Sequence, residues 1–167
     1  MNRRTFVTLM AATGVAAALA GCGFQLRRAP KLGFTRIALL GFATGSALRL
    51  ELVRAIEATG STRVVDTGNE AEVVLRCNQD QRQQLVSATT AAAQVRELSL
   101  VTRLKFRVTT ADQEKVLIPD TELAAARDMT YTETTALGKQ QEAELLYRAM
   151  QADIVDQVMR RLAALTL

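Results

Sequence analysis

The sequence predicts an α+β fold, a roughly four-stranded and mostly antiparallel sheet with two helices packed on one face. Three patterns carry this expectation. From Leu98 to Thr110 apolar and polar residues alternate at the period of a half-buried strand. From Gly138 to Leu165 apolar residues recur at helical spacing instead. Turn chemistry at Thr67-Gly68-Asn69 and Asp112-Gln113 punctuates β-branched runs between them.

Taken in order, the chain opens with Arg3 and Arg4 ahead of an uncharged, weakly apolar run from Phe6 to Ala20. Such a basic start and short apolar run is a signal peptide's organisation, and it falls short of the ~20 apolar residues a membrane-crossing helix needs. The run closes in Leu19-Ala20-Gly21-Cys22, which resembles the lipobox of bacterial lipoproteins. Small residues fit the signal peptidase's narrow pockets, and the Cys22 thiol takes the diacylglyceryl group. Residues 1–21 are therefore expected to be removed, and Cys22 to carry S-diacylglycerol and N-acyl lipid. In enterobacterial lipoproteins an aspartate after that cysteine retains the protein at the inner membrane. Here Gly23 follows, which points to the outer membrane. Arg3-Arg4-Thr5-Phe6 also looks like a twin-arginine motif, so the export route stays open between the general and twin-arginine systems.

Residues 22–33 read as a lipidated tether, with Pro30 and glycines, and residues 34–167 as a single α+β domain. Phe34 to Leu40 reads as a strand. From Ser46 the period changes, with Leu48, Leu52, Ala55 and Ile56 on one helical face, Ser46 as cap and Gly60 as stop. Thr62 to Val65 is a short β-branched run, and Ala71 to Gln79 alternates as a strand. In the strand from Leu98, the residues Leu98, Leu100, Leu104, Phe106 and Val108 point one way, and Arg103, Lys105 and Arg107 the other. Lys115 to Ile118 continues the sheet until Pro119, which marks a bulge or an edge, and Leu123 to Tyr131 resumes it. The last helix carries Ala143, Leu146, Tyr147, Met150, Ile154, Val158, Leu162 and Leu165 as a stripe. Its early acids, Glu142 and Glu144, and late bases, Arg160 and Arg161, complement the helix dipole.

Composition excludes much. Loss of residues 1–21 removes two of the 21 basic residues and no acid, leaving 19 against 17 acidic side chains, and no nucleic-acid partner is expected. Arg27, Arg28, Lys31, Arg36 and Arg49 all precede the first acid, Glu51. That segment suits anionic headgroups, at about 1 kcal/mol per basic residue near such a surface, or equally a solvated tether. Acylation of Cys22 leaves Cys77 without a disulfide partner, and its strand-like setting reads as core. With no histidine and one spare thiol, no cofactor or metal site is indicated. A lipid-anchored hydrolase would have to draw on Asp112, Glu114, Asp120 and Glu122, which cluster around a turn and a proline where solvated acids are ordinary. The protein is not expected to be an enzyme.

Cationic candidates are more informative. Arg103, Lys105 and Arg107 emerge on one face about 7 Å apart in successive pairs, so they need acids, water or an anionic ligand to offset repulsion. Lysines and arginines that merely keep a strand soluble would look the same. Lys139 lies in the first turn of the long helix, where the dipole already favours an anion.

The chain resembles the LptE family of lipopolysaccharide-assembly lipoproteins. The likeness runs through Gly21-Cys22-Gly23-Phe24-Gln25-Leu26-Arg27, Arg127-Asp128 with Tyr131, Ala136-Leu137-Gly138-Lys139, Glu144-Leu145-Leu146-Tyr147-Arg148-Ala149-Met150 and Arg160-Arg161-Leu162-Ala163-Ala164-Leu165. It thus spans the mature chain, though the middle strands depart from it and Thr89 to Ala93 is alanine-rich. The resemblance implies a monomer in a one-to-one complex, set as a plug in a large outer-membrane β-barrel that inserts lipopolysaccharide. It implies assistance to that barrel's folding and lipopolysaccharide binding without catalysis, and it marks Lys139, with Arg96 as a lesser candidate, for that ligand. A lipoprotein accessory to a phospholipid-trafficking transporter is the alternative, since it would share the signal and size.

Overall fold

A computed structural model describes residues 30–132 and 136–166. In chain order the elements are β1 (Arg36–Leu40), α1 (Ala47–Glu57), β2 (Arg63–Val65), a 3-10 turn (Gly68–Glu70), β3 (Val73–Thr89), β4 (Val95–Thr110), β5 (Val116–Thr130) and α2 (Ala136–Ala163). The sheet has five strands in the order β2-β1-β3-β4-β5. β1 runs parallel to both of its neighbours, whereas β3, β4 and β5 form an antiparallel meander. The sheet is therefore mixed, and one short strand richer than the sequence pattern suggests.

Local chemistry sets the boundaries. Ser46 caps α1 by accepting a hydrogen bond from the Arg49 backbone N–H at 3.0 Å. β1 stops at Gly41, whose φ of +81° suits glycine, and where a Cβ would stand 2.3 Å from the Cys77 carbonyl oxygen. Opposite that close approach β3 bulges at Asn78, shifting register between Cys77 and Gln79 against β4. The extra residue inverts the strand's parity. Val73, Leu75 and Cys77 face the helices before the bulge; after it Asp80, Arg82, Gln84 and Val86 do, each paired with a helix-facing β4 residue. Pro119 is accommodated in outer strand β5 at a register shift, between the pairs Val108–Ile118 and Phe106–Thr121, where it has no ladder partner itself.

Both helices pack on the same sheet face. Leu48, Leu52 and Ile56 of α1 and Ile154, Val158 and Leu162 of α2 close over Ile37, Leu75, Leu104, Phe106 and Val108. Cys77 belongs to this cluster, and burial above all pushes its thiol up to about 11, so it stays protonated at neutral pH. Further along the sheet a second cluster joins Leu98, Leu100, Met129, Tyr147 and Met150. Between the two lies a polar seam. Buried Gln151 accepts from Arg82 at 2.6 Å and donates to Glu51 at 2.5 Å. Beside it Thr102 is 1% exposed, and its hydroxyl has no hydrogen-bond partner among the described residues.

Candidate functional site

The strand stripe comes first. Arg103, Lys105 and Arg107 leave β4 on the face away from the helices, as alternation requires. There β5 supplies acids. Glu122 receives Arg103 at 3.2 Å and Lys105 at 3.3 Å, and Asp120 receives Arg107 at 3.6 Å. Asn78 also donates to Asp120 at 3.0 Å. The repulsion along β4 is thus offset within the sheet, before any ligand is invoked.

Those pairings also occupy two of the four carboxylates considered for acid–base work. A third, Asp112, closes the β4–β5 turn by accepting from the Thr110 hydroxyl and, at 3.1 Å, from the Glu114 backbone N–H. The Thr110 bond, then the Glu114 bond, hold its carboxyl below the usual range. Glu114 is exposed. No group of three metal-ligating residue types stands together among the described residues.

At the far end of the helix-covered face, the first turns of α2 and the ends of β3, β4 and β5 enclose a cleft of about 320 Å³. Leu98, Met129 and Tyr147 are its apolar lining from the second core cluster. Lys139 stands in its wall with the side chain 19% exposed, its ammonium donating to Glu142 at 2.8 Å and to the Thr130 hydroxyl at 3.1 Å. The Tyr147 hydroxyl donates to the Gln83 carbonyl at 2.8 Å, and its ring carries the Arg82 guanidinium 5.2 Å from the centroid. Burial raises that phenol's pKa; Arg82 opposes the shift and Glu144 adds to it.

Arg96 belongs to this end as well. It falls where the β3–β4 register shifts, between the pairs Ala88–Glu97 and Thr89–Val95, and its carbonyl accepts from the Tyr131 N–H at 2.8 Å. The Arg96 side chain is exposed and makes no ion pair among the described residues. The fold therefore divides the sequence candidates in two. Lys139 stands in the cleft wall and Arg96 near the start of β4 without lining the cleft, while Arg103, Lys105 and Arg107 lie on the other face in pairs with acids. Cys22 lies outside the described residues. Sequence reasoning missed the cleft itself, although the chain's only two tyrosines, Tyr131 and Tyr147, both line it.

An open mixed sheet with both helices on one face makes this an α+β domain, with an end cleft that has Lys139 in its wall. Residues 34–162 match the LptE lipopolysaccharide-assembly model, and the chain belongs to that family. Among solved structures it is similar to lipoprotein B of Nitrosomonas europaea, at 27% identity and a TM-score of 0.71, covering 85% of this chain and 91% of that one. The rare lipoprotein B of Shewanella oneidensis shares the fold at 23% identity and TM-score 0.63, covering 78% of this chain and 95% of its own. A minor lipoprotein of Acinetobacter baumannii does so at 20% identity and TM-score 0.63, with 80% and 94% covered. Comparison with curated proteins gives no match. The family is one of non-enzymatic outer-membrane lipoproteins in lipopolysaccharide assembly. No described helix is long and apolar enough to cross a membrane.

Proposed function

We propose that the protein is held at the outer membrane by acyl groups on Cys22 and plugs a lipopolysaccharide-inserting β-barrel, whose folding it assists. It binds lipopolysaccharide there as a monomer in a one-to-one complex, and takes no part in catalysis. What carries this reading is the family match across residues 34–162. The cleft end supports the ligand half of it. Lys139 offers a cation in the cleft wall, where phosphate oxygens can replace Glu142 as its partner, and Arg96 remains the lesser candidate. Arg103, Lys105 and Arg107 remain candidates only if a ligand displaces Glu122 and Asp120.

Depletion tests the partner. Loss of the protein should lower the level and oxidised form of a large outer-membrane barrel, and that barrel should copurify in equal amount with the acylated chain. An unchanged barrel removes the plug reading, while an inner-membrane transporter subunit in its place supports phospholipid trafficking instead. In parallel, mass spectrometry of the mature N-terminus should show acylated Cys22, and Cys22→Ala should abolish it.

A further inference from the structure

The sheet ends at β5, whose far side meets no further strand among the described residues. The Tyr131 N–H bonds the Arg96 carbonyl, and in an antiparallel pair the backbone groups of alternate residues turn the same way. Met129, Arg127, Ala125 and Leu123 therefore turn their N–H and C=O groups to β4, and Thr130, Asp128, Ala126, Ala124 and Glu122 turn theirs outward. Such an edge is a template for another strand, and proteins blunt it with proline, lysine or a bulge. β5 has its proline and its register shifts toward the Val116 end. From Thr121 to Thr130 it runs in unbroken register against β4 and holds neither proline nor lysine.

One side chain closes that stretch. The Arg127 Nη2 donates to Asp153 of α2 at 3.1 Å, and its Nη1 turns back to the Ala126 carbonyl at 2.9 Å. That carbonyl is the middle acceptor of the outward row, so the guanidinium sits where a second strand would have to donate. Both side chains of the ion pair are about half exposed, so the latch holds weakly and its loss leaves the fold intact. Without it, two such edges match. An antiparallel pair of β5 strands centred on Ala126 sets Glu122 opposite Thr130 of the second copy, Leu123 opposite Met129, Ala124 opposite Asp128 and Ala125 opposite Arg127, with no like charges facing. Centring on Ala125 would face Glu122 with Asp128, and centring on Arg127 would face the two arginines.

We propose that Arg127 guards the β5 edge: capping Ala126 and anchored on Asp153, it keeps two copies of this chain from pairing β5 against β5 in the register centred on Ala126. The guard does not depend on the lipopolysaccharide reading, and it gives a task to Arg127, which neither the cleft nor the strand stripe uses. Pairing needs the Ala126 carbonyl as an acceptor, so removal of the guanidinium opens the edge to the second copy.

The test follows the mass of the full mature chain by sedimentation at rising concentration, with Cys22→Ala so that neither lipid nor that thiol intervenes. The parent should stay monomeric. Arg127→Ala should dimerise at least tenfold more tightly than the parent, and Asp153→Ala, which removes only the anchor, should do so to a smaller degree. Arg160→Ala, the same loss of charge at another exposed position of α2, should not. Ala126→Pro, at an outward-turned N–H that takes no part in the β4 ladder, should return the Arg127→Ala chain to monomer. In the Arg127→Ala background Ala126→Cys should cross-link two copies under mild oxidation, because it faces itself across the symmetry axis, whereas Thr130→Cys, which faces Glu122, should not. Cys77 is buried and stays out of the reaction. Arg127→Ala and Asp153→Ala chains that both remain monomeric, a parent that dimerises as tightly as they do, or an equal effect of Arg160→Ala overturns the guard. Dimers that survive Ala126→Pro, or that cross-link through Thr130→Cys instead, overturn the pairing of β5 with β5.

Discussion

Glu122 receives two cations at once, yet all three side chains are about two-fifths exposed, so water screens the arrangement. Pairs in that setting are worth roughly 0–1 kcal/mol. Glu122→Gln should therefore change the unfolding free energy by less than about 1 kcal/mol in a urea titration at neutral pH; a loss of several would mean that the stripe is structural. Glu72 is held differently. It accepts from the Thr35 hydroxyl at 2.7 Å and the Thr35 N–H at 3.1 Å, with Arg36 at 3.4 Å, and the hydroxyl bond leads in holding its carboxyl below the usual range. A carboxyl whose pKa is depressed by folding stabilises the fold above its unfolded value of about 4.3, and the contribution fades as pH falls through the folded value. Glu72→Gln should thus be less stable than the parent at pH 7, and the two should converge in thermal unfolding as pH falls through the folded value, which lies below the ordinary one. A difference that persists in acid would assign the loss to geometry rather than to charge.

Elements with one uninterrupted period were legible in the sequence. β4 alternates from Leu98 to Val108 and buries the residues that alternation selects, and α2 buries Tyr147, Met150, Ile154, Val158 and Leu162 at the expected spacing. β3 was legible only as far as Gln79, because the bulge at Asn78 reverses its faces. Beyond it the helix side reads Asp80, Arg82 and Gln84, whose partners Ser46, Gln151 and the cleft come from other elements. A polar residue satisfied by a distant helix leaves no periodic trace. The same reason hid the cleft, which Lys139 alone announced: its lining is drawn from four elements, and what makes it is a shortage of bulk on α2. Ile154, fully buried where α2 crosses the main cluster, tests the contrast. Ile154→Ala should cost about 2–5 kcal/mol in denaturant unfolding, as large-to-small changes in packed cores do. A cost under 1 kcal/mol would mean that α2 is loosely docked even there.

Along the whole molecule the two ends differ in how firmly they are held. Gly33 stands just before β1, and a Cβ there would lie 3.0 Å from the Leu165 carbonyl oxygen just past the end of α2. The cleft lies at that helix's beginning, and 28 residues of helix separate the two by about 40 Å. At its Leu162 end α2 packs with α1 in the main cluster, and at the cleft end it is held by the smaller second cluster, by Lys139 on Thr130 and by Arg82 on Glu144. The polar seam of Arg82, Gln151 and Glu51 stands between, with the Thr102 hydroxyl unpartnered among the described residues. Ligand sites are drawn from the less stable parts of a fold, because a segment that must admit a ligand has to open at low cost. Amide hydrogen exchange follows from this. Residues 140–147 of α2 should exchange at least tenfold faster than residues 151–162, in two separable steps. Uniform protection along the helix would make α2 a single cooperative unit, and the cleft would then be a fixed feature of the surface rather than the loosely held end of the core.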